Sequence, residues 1–134
     1  MNKILINFFI FSLILLWSCK KPEPTGEVFF IEPIDNAEVT SPFLVKFGVK
    51  DMEVAQAGEI KPNSGHHHLL INMDSIASGE TIPADEKHIH FGKGQTETSL
   101  SLDPGTYKIT LQFANGAHQS YGPSLSKSIT VVVR

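Results

Sequence analysis

Histidine is the side chain this sequence offers for chemistry near neutral pH, and its placement is uneven. Five of the six histidines fall in two short apolar segments, His66-His67-His68-Leu69-Leu70-Ile71 and His88-Ile89-His90-Phe91. Both segments read as strands. Side chains of an extended strand alternate between faces, and residues two apart lie roughly 6.5–7 Å apart on one side. His66 and His68 therefore share an outward face with Leu70 and Asn72, while His67, Leu69, Ile71 and Met73 form the apolar inward set. The same parity sends Ile89 and Phe91 inward and His88 and His90 outward. Two adjacent strands would then gather His66, His68, His88 and His90 on one surface patch. Neutral imidazole suits zinc, copper and nickel. With Zn–N bonds of about 2.0–2.1 Å, an i, i+2 pair can reach one ion from a single strand, and a neighbouring strand about 4.8 Å away can complete the set. These four histidines are the expected ligands of copper or zinc. A polar network that pins two loops would use the same residues, and that reading stands beside the metal one.

Other residues near these segments have lesser parts. His67 points inward and reads as a structural histidine whose ring nitrogens need partners, with Asp74, Asp85 or Glu97 as possible acceptors. His118 follows the Asn115-Gly116 turn, where it is either a solvated loop residue or an extra ligand closing over the patch. Gln95 and Glu97 either orient the histidines or lie on an exposed strand face. Gly92-Lys93-Gly94-Gln95-Thr96-Glu97 lacks the spacing of a phosphate loop and opens onto a strand, so it reads as a glycine-rich hairpin. No nucleophile stands beside a base with an elbow or oxyanion-hole sequence; Ser64 beside His66 has neither. Asp85 and Glu86 are adjacent and point apart when extended. No catalytic residues are expected, and the protein is read as a binding protein rather than an enzyme, although an open metal position can activate water.

The elements that position these residues are short. Runs rich in Val, Ile, Phe, Leu and Thr are separated by Gly, Pro, Asn and Asp, with no helical period beyond a turn, which predicts an all-β domain. Seven strands are expected: Glu27 to Glu32, Phe43 to Lys50, His66 to Met73, Lys87 to Phe91, Thr96 to Leu102, Thr106 to Ala114 and Ser126 to Val133. That number fits an immunoglobulin-like Greek-key sandwich. Tyr107, after Leu102-Asp103-Pro104-Gly105-Thr106, is placed as a tyrosine corner, in which a tyrosine near the start of a late strand bonds back across the connection. Asn115-Gly116 is expected to supply a positive φ. Two long connections, Asp51 to Gly65 and Asp74 to Glu86, border the histidine segments and could wall a shallow site.

Residues 1–18 read as a processing signal, with Lys3, then an apolar run from Ile4 to Trp17, then Ser18-Cys19. This is the pattern of a bacterial lipoprotein, cut before Cys19, whose thiol then carries lipid. An ordinary export signal or an anchor helix is the alternative, and each of these exports the chain. Residues 19–26 would then be the lipidated cysteine and a tether, and residues 27–134 the domain. Cys19 is the only cysteine, so the domain has no disulfide and no thiolate for a metal. Without residues 1–18, ten basic residues face 14 acidic ones, a formal charge of minus four, which argues against nucleic acid as a partner. The expected location is the bacterial envelope, on the outer membrane, since Lys20 lacks the Asp that often retains lipoproteins at the inner one. The expected partners are the membrane, through the lipid, and, in the alternative reading of a non-enzymatic interaction module, an envelope protein or a polymer bound by the histidine face and the two long connections.

The stretch Pro62-Asn63-Ser64-Gly65-His66-His67-His68-Leu69-Leu70-Ile71 and the stretch from Ile82 through His88-Ile89-His90-Phe91-Gly92-Lys93-Gly94-Gln95-Thr96-Glu97-Thr98 resemble the bacterial DUF4399 family. Phe30-Ile31-Glu32-Pro33, Ser41 to Gly48 and Leu102-Asp103-Pro104-Gly105 extend the resemblance over residues 29–133. It implies an exported domain in which the two histidine segments and the glycine-rich turn go together, and it implies no particular metal. Family members carry His near further prolines where this chain has Ala117-His118-Gln119-Ser120-Tyr121-Gly122-Pro123.

Overall fold

The computed structural model describes residues 24–134; the expected processing signal, Cys19 and most of the expected tether lie outside them. Alternating apolar residues in β1 (Glu27–Glu32), β3 (Phe43–Lys50), β8 (Gly105–Ala114) and β9 (Ser126–Val133) build two facing sheets. One has the order β1-β3-β7, with β7 at Glu97–Leu100. The other runs β2-β9-β8-β5-β4, with β2 at Ala37–Val39, β4 at Glu53–Val54 and β5 at Ser64–Ile71. The short β6 (His88–His90) also pairs with β5. Two strands join the expected seven. Both are short and pair in parallel, β2 with β9 and β4 with β5, and neither has enough residues to show a period in sequence. The all-β sandwich is the observed architecture, and its strand order is that of the immunoglobulin-like Greek key.

The core lies between the sheets. Val45, Phe47, Leu69, Ile109, Leu111, Phe113 and Val131 are at most 1 % exposed, and burial of each of the larger side chains stabilises by roughly 1.5–3 kcal/mol. Tyr107 forms the expected corner, its hydroxyl donating to the Asp103 carbonyl at 3.0 Å.

β5 departs from a strand with one wet face, because all eight of its residues are buried. Its inward side meets the core. Its outer side lies beneath the 72–87 connection and the 115–119 hairpin. Thr110 and Gln112, outward on β8, hold that cover in place. Thr110 Oγ1 donates to the Met73 carbonyl at 2.7 Å, and Gln112 Oε1 accepts from the Ile76 amide at 3.1 Å. Gln112 Nε2 donates to the carbonyls of Gly122 and Leu125 at 3.0 and 3.2 Å. Leu70, Ile82 and Ala114 form a second, smaller apolar cluster under the same cover.

Candidate functional site

Strand register assembles the site. His68 on β5 sits directly opposite His90 on β6, and opposite residues of an antiparallel pair share a face. His66 is two residues back on the same face. The ring centroids of His66 and His68 are 4.8 Å apart, those of His66 and His90 are 5.0 Å apart, and those of His68 and His90 are 5.1 Å apart. One ligand nitrogen from each of these three rings lies within 4.8 Å of the other two.

His118 approaches the group from the 115–119 hairpin, with its ring centroid 6.0 Å from that of His68. Its ring centroid is 4.7 Å from that of His90 and 5.0 Å from that of His66, and its Nε2 is 3.1 Å from His90 Nε2. Of its two open readings, the structure therefore places His118 over the cluster. The expected positive φ at Asn115-Gly116 falls instead on His118, at φ 64°. Gly116 is required for another reason, since a Cβ there would collide with the Glu59 carbonyl. The hairpin closes through the His118 amide donating to the Asn115 carbonyl at 2.9 Å, and Asn115 Oδ1 accepts from the amides of Ala117 and Gln119.

The first long connection acts as a strap between the two turns next to His90 and His118. The Ala57 amide donates to the Gly92 carbonyl and the Gly58 amide to the Gly116 carbonyl, both at 2.8 Å. Gly92 also makes room for the site, because a Cβ there would overlap the His90 ring. Sequence reading missed this function of Gly92. Its signal was present, a glycine two residues after a candidate histidine of an extended segment, where side chains share a face.

The expectation of four outward rings on the surface is corrected in two respects. His66 and His68 do lie on the outer face, yet they are fully buried, since the connections that cover β5 also cover them. His88 shares that face but pairs with Leu70, further along the strand, and its Nδ1 is 2.7 Å from Asp85 Oδ1. Asp85 Oδ1 also accepts from the amides of Lys87 and His88, and the bond to the His88 ring leads the interactions that lower its carboxyl pKa. His88 thus belongs to a local turn rather than to the group of rings.

The remaining candidates lie elsewhere. Gln95 Oε1 accepts from the Lys93 amide at 2.8 Å within its own turn, and Glu97 is exposed on β7, in the opposite sheet. Ser64 Oγ donates to the Lys61 carbonyl at 3.2 Å rather than facing His66. His67 points inward as parity requires, with none of the expected carboxylates beside it. Its ring lies between Phe47 and Phe113, at centroid distances of 4.9 and 4.8 Å, and both its nitrogens are buried without a hydrogen-bond partner. The two long connections do wall a cleft, of about 610 Å³, lined by Met52, Ile60, Lys61, Ser78 and Tyr121. None of the histidines lines it.

Burial favours the neutral form of His66, His68 and His90. Burial, reinforced by the neighbouring rings of His90 and His118, lowers the His66 pKa to about 4. Burial, and then the surrounding histidines, lowers that of His68 to about 3. His90 is lowered too, by burial first and then by His118. Both ring nitrogens of His66 and Nδ1 of His68 are buried without a hydrogen-bond partner. An unsatisfied buried polar group costs about 1–3 kcal/mol. Neutral rings with unengaged nitrogens converging from two strands fit the donor set of a borderline-soft divalent metal.

The model of DUF4399, a domain of unknown function, matches residues 45–134, about two thirds of the chain. No curated protein and no solved structure matches it.

Proposed function

Because the chain belongs to the DUF4399 family, whose function is unassigned, its role has to be read from the site, and we propose that it binds a divalent transition metal, copper or zinc, through His66, His68 and His90. The observation that carries this reading is the convergence of one nitrogen from each of the three rings to within 4.8 Å of the others, with both nitrogens of His66 and Nδ1 of His68 buried and without a hydrogen-bond partner. Ligand nitrogens on a tetrahedral ion with bonds of about 2.0–2.1 Å stand roughly 3.3 Å apart, so rings whose nitrogens lie within 4.8 Å need only a small closure to share one ion. The nitrogen donors, with no sulfur beside them, favour copper(II) and zinc over soft monovalent ions.

In this reading the protein is exported, anchored through lipid on Cys19, and displays its metal-binding domain in the bacterial envelope. In this reading it binds rather than catalyses. The test is calorimetric titration of the detergent-solubilised full chain with copper(II) and with zinc. One ion per chain is expected, with binding lost in His66→Ala/His90→Ala. Equal, weak binding by parent and variant would remove the metal reading.

A second reading, a non-enzymatic interaction module for an envelope protein, is favoured by the exposed apolar side chains Phe29, Ile31, Ile34 and Leu44. Crosslinking from position 34 in cells separates the two, because a partner contact of this kind persists in chelator.

A further inference from the structure

The geometry points to His118 as the fourth ligand of the same ion, making a four-imidazole centre whose last donor is carried on a hairpin. This rests on the metal reading above and adds to it the completeness of the coordination shell.

Three observations converge on this residue. First, His118 Nε2 and His90 Nε2 face each other at 3.1 Å, close to the roughly 3.3 Å between two donors on one tetrahedral ion. Among the described residues, the His118 ring has no other hydrogen-bond partner. Secondly, its backbone is left-handed, at φ 64°, where glycine or asparagine sits without strain. A histidine held there, beside three other imidazoles, spends backbone strain on aiming a ring, as functional positions do. Thirdly, the backbone on both sides of the ring is fixed. The His118 amide bonds to Asn115, and its carbonyl accepts from the Ile82 amide at 2.9 Å.

Two consequences follow from the placement. Four protein donors close the coordination shell, which is the arrangement of retention rather than of water activation. His66 and His68 are buried on a central strand, whereas His90 is exposed and His118 half-buried. Its hairpin is bonded to the first connection at Gly58 and to the second at Ile82, so ligation by His118 ties both connections to the ion.

The decisive variant is His118→Gly, because glycine accepts the left-handed backbone and removes only the ring. The detergent-solubilised full chain and the variant are titrated with cobalt(II), whose visible spectrum reports coordination number, and with zinc. The parent is expected to bind one ion with the intense absorption of a four-coordinate centre. The variant is expected to retain one ion, with affinity lowered at least tenfold and an altered spectrum, while its metal-free form melts no lower than the parent. A variant with the parent's affinity and spectrum would overturn the fourth-ligand assignment while leaving the three-ring site standing. A parent that binds neither ion would overturn both.

Discussion

Burying three consecutive histidines in one strand makes stability depend steeply on pH, and His67 isolates that effect from metal binding. The His67 ring is held between Phe47 and Phe113, and burial, aided by the nearby His66, lowers its pKa to about 3. In the unfolded chain the same group titrates near 6.5. Between those values the unfolded state binds the additional proton, so stability is full above pH 6.5. It falls as pH drops through that value, and the loss is complete near pH 3. From the shift, lowering pH from 8 to 5 costs about 2 kcal/mol for His67 alone. His66 and His68, lowered to about 4 and about 3, add similar losses. His67→Leu keeps an apolar side chain of similar volume and removes two buried, unpartnered nitrogens. Urea unfolding in chelator, at pH 8 and pH 5, is the assay. The variant should be at least as stable as the parent at pH 8, by up to about 3 kcal/mol. Its loss between the two pH values should be smaller than the parent's by about 2 kcal/mol. Equal losses would show that His67 is not kept neutral by its surroundings, and the burial reasoning would fail.

Three further outcomes are expected. Gly92→Ala should displace the His90 ring and weaken zinc binding by roughly 10–100-fold in calorimetry, with circular dichroism unchanged. Gln112→Leu should cost about 2–4 kcal/mol in urea unfolding, since the Ile76 amide and the Gly122 and Leu125 carbonyls lose their buried partner. Zinc at 100 times its dissociation constant should stabilise the parent by about 2.7 kcal/mol, raising its melting temperature, and should leave His66→Ala/His90→Ala unmoved.

Parity within each segment was legible in the sequence, because alternation is a local property of extended backbone. It correctly separated His67 from His66 and His68 and put His90 on the face that those two share. Parity cannot say how far along a partner strand each residue falls. His90 pairs with His68 and His88 with Leu70, and that difference alone removed His88 from the group. Gln95 and Glu97 were weighed on nearness in sequence, but the chain crosses to the other sheet between β6 and β7.

The tyrosine corner, the all-β class and the extent of most strands followed from local composition, turn residues and period, whose physics acts over a few residues. Burial of His66 and His68 did not, because it depends on connections that return from distant parts of the chain to cover the outer face of β5. Nor did the place of His118. Its ring reaches the cluster through a left-handed backbone and a hairpin strapped by the first connection, and neither leaves a period or motif to read. The sequence by itself determined which residues could ligate and on which face of their strands they lie. The tertiary structure decided which of them meet, since that rests on interstrand register and on the folding back of loops, both set by contacts far apart along the chain.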